Sequence, residues 1–199
     1  MLLCCSASAA AEHTLLVLGD SISAGYGIPV ERGWVALLQA RLSGKDYRYH
    51  VVNASISGDT SRGARARLDH LLDSVPAQIA IVELGGNDGL RGLSLPEIEK
   101  NLGAIIDRLQ QDDIGVLLVP MMLPPNYGPV YTSRFREMYD RLGRIHHIPV
   151  SKFILEGIGD RPELMQDDGI HPVAAAQEQM LDNIWPALQP MLDKITLTH

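Results

Sequence analysis

Cysteine is nearly missing from this chain. Its 199 residues hold two, Cys4 and Cys5, side by side at the start. The remainder can therefore build neither a disulfide nor a thiolate metal site. Aromatic residues are scarce too. Two Phe and two Trp give poor support for a sugar-stacking platform. Basic residues are outnumbered, 17 Lys and Arg against 24 Asp and Glu, for a net charge of −7. That balance argues against a nucleic-acid partner, which needs clustered cations on its phosphates. The one basic cluster is Arg62, Arg65 and Arg67. Asp69 follows Arg65 by four residues, so a solvated helix face with one ion pair is expected there. No run after the first residues is long enough to cross a membrane, which argues against stable membrane insertion. A G-x-x-x-x-G-K-[ST] phosphate loop, a G-x-G-x-x-G turn and a G-x-S-x-G elbow are all missing. His13, His50, His70 and His199 have no ligand-type spacing around them, and His146 and His147 are adjacent and suit a surface. No metal and no cofactor are expected.

What is present starts with a short apolar, then small-residue segment, Met1 to Ala11. It reads as the tail of a secretory signal, with Ala7-Ser8-Ala9 or Ala9-Ala10-Ala11 as the cleavage site. A full signal would carry a cation before the apolar stretch, and the first Lys or Arg here is Arg32. Residues 1–11 are thus read as a signal remnant and 12–199 as one domain, located in the periplasm or secreted. Hydrophobic residues at 46% and charged residues at 21% suit an ordinary globular core, and the length suits one.

Apolar strand-like runs alternate with helical patterns. Strands are expected at 13–18, 47–52, 79–84, 116–119 and 149–155. Between them, Trp34, Leu37, Leu38 and Leu42 repeat at helical spacing, as do Ile98, Leu102, Ile105, Ile106 and Leu109. Ser94-x-x-Glu97 around Pro96 has the form of a capping box. A last helix is expected from Pro172, a residue suited to a first turn. Regular alternation of this kind predicts a parallel sheet with helices on both faces and right-handed crossovers. In such sheets ligands bind beyond the carboxyl ends of the strands.

The chemistry lies on that rim. Gly19-Asp20-Ser21 comes after the first strand, Gly58 after the second and Gly85-Gly86-Asn87-Asp88 after the third, while Asp168-Gly169-Ile170-His171 precedes the last helix. Each alone has an ordinary explanation as turn, cap or loop residue. Together they are the parts of an acyl-transfer site: Ser21 as nucleophile, His171 as base, and Asp168 to orient the imidazole. The N–H groups of Ser21 and Gly58, with the Asn87 amide, can hold the developing oxyanion. Pro172 biases His171 to an extended backbone, and Gly58, lacking a Cβ, lets its N–H approach substrate.

Those four blocks, in this order, resemble the SGNH (GDSL) hydrolases. The stretches 53–60, 84–92, 123–128 and 165–172 are similar to the periplasmic thioesterase, lysophospholipase and arylesterase branch. The resemblance implies a three-layer α/β/α, flavodoxin-like fold with a five-stranded parallel sheet in order 2-1-3-4-5. It implies a Ser21–His171–Asp168 triad, an oxyanion hole of Ser21, Gly58 and Asn87, and no cofactor. Its substrates would be small acyl esters or thioesters: aryl esters, acyl-CoA and lysophospholipids. A monomer is expected. Leu90 and Leu93, on a segment 88–93 read as a mobile loop, and Met121, Met122, Leu123 and Pro124 could wall an acyl groove. Two other functions use the same rim: a carbohydrate or peptidoglycan O-acetyl esterase, and a lipid-binding domain without catalysis.

Overall fold

The structure is a computed structural model that describes residues 13–196. The segment read as a signal remnant, and His199, lie outside the described residues. Four strands form one parallel sheet: β1 (His13–Gly19), β2 (Tyr49–Asn53), β3 (Ile79–Glu83) and β4 (Gly115–Val119). Their order is β2-β1-β3-β4. All five residues of β3 are buried, as a central strand covered on both faces requires. Helices α3 (Ser61–Leu72), α5 (Leu95–Gln111) and α6 (Pro129–His146) pack in succession, and α2 (Trp34–Gly44) packs on α7 (Gln177–Thr196). Two one-turn helices, α1 (Ser21–Ala24) and α4 (Gly86–Leu90), sit at the carboxyl ends of β1 and β3.

The expected fifth strand is reduced to one bridge. Val150 lies parallel to Leu118, with Leu118 N–H donating to Pro149 O and Ser151 N–H to Leu118 O. It takes the position beside β4 that a fifth strand would hold. Pro149 has no N–H for a ladder. Past Ser151 the backbone turns on itself, with Glu156 N–H on Phe153 O and Ile158 N–H on Leu155 O, so pairing stops.

Other expectations need correction. The last helix starts at Gln177, not Pro172; Pro172 instead bridges antiparallel to Met165. Ser94 is the N-cap of α5, but its side chain makes no capping bond. Arg65 does not pair with Asp69. Asp69 takes Arg108 at 2.6 Å, Arg67 takes Asp59 at 3.0 Å, and Arg65 reaches the Asn101 side chain. Partners on a neighbouring helix and a preceding loop outcompete the local one. His146 is not simply a surface residue: its ring meets Asp107 at 3.0 Å and its side chain is 13% exposed.

The segment 88–93 is also not a free loop. Its first residues belong to α4, and two tyrosines pin the backbone from Leu90 to Leu93. Tyr127 Oη donates to Leu90 O and Tyr131 Oη to Leu93 O, both at 2.7 Å. The turn before α4 is held likewise. Tyr139, fully buried on α6, donates to Leu84 O at 2.9 Å. Replacing Tyr139 with Phe orphans that buried carbonyl. We expect a loss of about 1–3 kcal/mol in unfolding free energy, read from urea denaturation. An unchanged midpoint would show that the bond contributes nothing.

Candidate active site

The nucleophile turn grows out of β1. Asp20 caps the turn of helix that begins at Ser21, its Oδ1 accepting from Ile22 N–H at 3.0 Å. Gly25 closes the turn in the left-handed region, at φ +74°. Ser21 is thereby fixed at the carboxyl end of the sheet, 9% exposed.

His171 reaches it from the far end of the chain. Its Nε2 lies 2.8 Å from Ser21 Oγ, and its Nδ1 lies 2.6 Å from Asp168 Oδ2. Acceptance by the carboxylate fixes the Nδ1–H tautomer and leaves the Nε2 lone pair facing the serine hydroxyl. The three-residue spacing works because the backbone turns tightly. Asp168 Oδ1 accepts from both Ile170 N–H and His171 N–H, at 2.9 and 3.0 Å. The His171 backbone N–H and then its ring pull the Asp168 carboxyl down to about 2, so it stays ionised. This turn caps no helix; it is the tip of a hairpin. Gln166 N–H donates to His171 O at 2.7 Å at the hairpin base. The Gln166 side chain donates to Tyr26 O and Pro172 O, tying the hairpin to the loop after α1.

The expected oxyanion donors border the same cavity as Ser21 and His171. Among the described residues, no oxygen accepts from the N–H of Ser21 or of Gly58. Gly58 has φ +79°, and a Cβ there would meet nothing closer than 4.0 Å. The left-handed backbone by itself calls for glycine here. Asn87 Nδ2 donates to Asp20 Oδ2 at 2.9 Å, which fixes the amide and leaves its second hydrogen for a ligand.

A family model described as GDSL-like Lipase/Acylhydrolase matches residues 17–179. The chain belongs to the GDSL-like lipase/acylhydrolase family. Esterase TesA of Pseudomonas aeruginosa is 48% identical over 183 residues, covering 92% of this chain and 91% of that protein. Thioesterase 1/protease 1/lysophospholipase L1 of Escherichia coli K12 is 42% identical over 185 residues, covering 93% and 88%. Among solved structures, the crystal structure of TesA superposes with a TM-score of 0.88 at 47% identity, covering 90% of this chain and 99% of that one. The psychrotrophic esterase EstA of Pseudoalteromonas, inhibited by monoethylphosphonate, gives 0.87 at 36%, covering 92% and 100%.

In this GDSL-like chain the cavity over Ser21 has a volume of about 780 Å³. Leu90, Met121, Met122, Leu123 and Pro124 line it. Leu93 does not; it packs half-buried against the core. Tyr26, Phe153, Leu155 and Met165 line it as well, and sequence reading missed them. Phe153 and Leu155 were absorbed into the expected fifth strand. Tyr26 had no signal of its own, although its ring lies 4.5 Å from that of His171. No group of three or more His, Cys, Asp or Glu among the described residues could hold a metal ion.

Asp20 and Glu83 were also missed. Burial pushes the Asp20 carboxyl up to about 6, against Ile22 N–H and Asn87, which favour the charge. The ordinary value in an unfolded chain is about 3.9. Between these values the native chain keeps a proton that the unfolded chain has lost, so this group's contribution to stability falls as pH rises through that window. Asp20→Asn removes the contribution. Relative to the parent, the variant's stability should rise between pH 4 and pH 6, read from urea midpoints at three pH values. A constant difference would contradict the assignment.

Proposed function

We propose that this protein hydrolyses carboxylic esters and thioesters through an acyl-serine intermediate on Ser21. The observation that carries the reading is the unbroken chain of short bonds from Asp168 through His171 to Ser21. Ser21 Oγ attacks the acyl carbon while its proton passes to His171 Nε2. The carbonyl electron pair moves onto oxygen, where the Ser21 and Gly58 N–H groups and the Asn87 amide receive the charge. Collapse of that intermediate expels the alcohol or thiol, which takes the proton from Nε2. Water then enters by the same route in reverse and releases the acid. The ionised Asp168 stabilises the imidazolium in both halves.

The similarity to proteins called esterase, arylesterase and thioesterase supports this substrate class. So does the phosphonate inhibition of the similar EstA, since phosphonates trap serine nucleophiles. No helix among the described residues is long and apolar enough to cross a membrane. Every group named above comes from one chain, in keeping with a monomer acting on small molecules. Export to the periplasm or medium, with a domain starting at residue 12, is our reading of the small-residue segment Ala7–Ala11.

The apolar wall favours an acyl chain longer than acetyl. Across p-nitrophenyl esters, kcat/KM should rise by up to about four-fold per methylene until the wall is covered. A preference for acetate would turn the reading toward an O-acetyl esterase. Ser21→Ala should abolish both turnover and labelling by a fluorophosphonate; retained turnover would sink the assignment. Asp168→Asn should lower kcat by about 10³–10⁴-fold, because the neutral amide no longer selects the Nδ1–H tautomer.

A further inference from the structure

One acidic side chain in the sheet has no part in that mechanism. Glu83 is the last residue of β3 and is 0% exposed, although its strand neighbours are apolar. It stands in register with Gly19, the last residue of β1 and the residue two before the nucleophile. Its Oε2 accepts from Ser23 Oγ at 2.6 Å and from Asp20 N–H at 3.3 Å. One oxygen thus holds the chain on both sides of Ser21. The fit is close: a Cβ on Gly19 would lie 2.7 Å from Ser23 Oγ and 2.8 Å from Glu83 Oε2. Asp20, held at its N–H by Glu83, uses its own carboxylate for Asn87 and for the α1 cap.

We propose that Glu83 is a positioning residue for the nucleophile, clamping the turn 20–23 so that Ser21 Oγ and the Ser21 N–H keep their aim. The inference rests on Ser21 being the nucleophile. Packing alone does not call for an acid here. A leucine would fill the space but leave the Asp20 N–H and the Ser23 hydroxyl buried without an acceptor.

The surroundings of Glu83 disfavour its charged form. Glu83 Oε1 is buried and has no hydrogen-bond partner among the described residues. Burial, then the neighbouring Asp20 charge, push the Glu83 carboxyl well above its ordinary range, against the bond from Ser23. Asp88 and Glu83 act together on the buried Tyr139, while His171 and Asp59 act on Asp20. Glu83 Oε2 accepts both donors. Glutamine reproduces that acceptor; leucine does not.

The test compares Glu83→Leu, Glu83→Gln and Ser23→Ala in the full chain, with p-nitrophenyl butyrate turnover and the rate of fluorophosphonate labelling as readouts. A slightly misplaced reacting atom costs up to about 100-fold, so Glu83→Leu should lower kcat and labelling rate by about ten-fold or more while KM stays within about two-fold. Glu83→Gln should restore kcat to within about three-fold of the parent. Ser23→Ala should lower kcat by a smaller factor, and should add no further loss in the Glu83→Leu background, since both break one clamp. Equal losses in the Leu and Gln variants, multiplying losses in the double variant, or an unaffected kcat in a folded Glu83→Leu would each overturn the proposal. If Glu83→Leu does not fold, Ser23→Ala decides: an unchanged kcat overturns the clamp, and a fall at constant KM upholds it. Ser21→Ala, run alongside, separates the two claims. Turnover surviving in Ser21→Ala removes the nucleophile and the clamp together. Turnover lost there but indifferent to Glu83 removes only the clamp.

Discussion

The parallel register of β1 against β3 is the constraint on which the site depends. Gly19 lies opposite Glu83, so the two strands end level and the loops after them leave the sheet side by side. One loop carries Ser21 and the other Asn87. Level ends let Asp20 reach the Asn87 amide at 2.9 Å. A shift of one residue would turn every side chain of β3 to the opposite face. Leu15, Val17, Ile79 and Ile81 are all fully buried, and a slip would also break the ladder that pairs them. The hydrophobic core therefore enforces the geometry of the polar rim.

His171 is joined to that frame differently. It sits 150 positions from Ser21, so the loop entropy of bringing the two together is met by folding as a whole. Local bonds then remove the remaining freedom. The Asp168 carboxylate is shared between the ring and two backbone N–H groups, and Gln166 anchors the hairpin to the nucleophile's own loop. Preorganisation of this kind matters because oxyanion donors and base act only if they are already aimed when charge develops. The carboxylate that keeps the imidazole aimed is itself kept ionised by the bonds it accepts.

The parts legible in the sequence were those with local periodicity or a distinctive residue order. Alternation of apolar runs and helical spacing was enough for the parallel sheet, since β3 reads as five buried residues and α5 as one apolar stripe. The order of the four rim blocks was enough to pick out the triad and the oxyanion donors as candidates. Illegible were features that depend on what a segment meets in space. Residues 149–155 have strand composition, but only Val150 finds a partner before the chain turns. The glycines at 89 and 92 suggested mobility, while the tyrosines that pin the segment lie 37 and 38 positions away from the carbonyls they hold. Leu93 is apolar like Leu90, yet only Leu90 borders the cavity. Arg65 has a carboxylate at the right helical distance, and tertiary partners take it instead.

Glu83 belongs to a third kind, visible in the sequence and yet easily passed over. A charged residue ending an apolar run looks like a strand emerging into solvent. Here the strand does not emerge, and the acid stays covered, with one oxygen unpartnered among the described residues. Burying such a group opposes folding, and Asp20 beside it adds to the opposition. The hydrogen bonds that the two carboxyls accept offset part of that cost. At Asp20, the Ile22 N–H, the Asn87 amide and His171 favour the charged form against burial. At Glu83 the bonds from Ser23 and Asp20 favour the charge against burial, and both fall on Oε2. The turn around Ser21 thus holds two buried acids, and their cost in stability falls where rigidity is needed for catalysis.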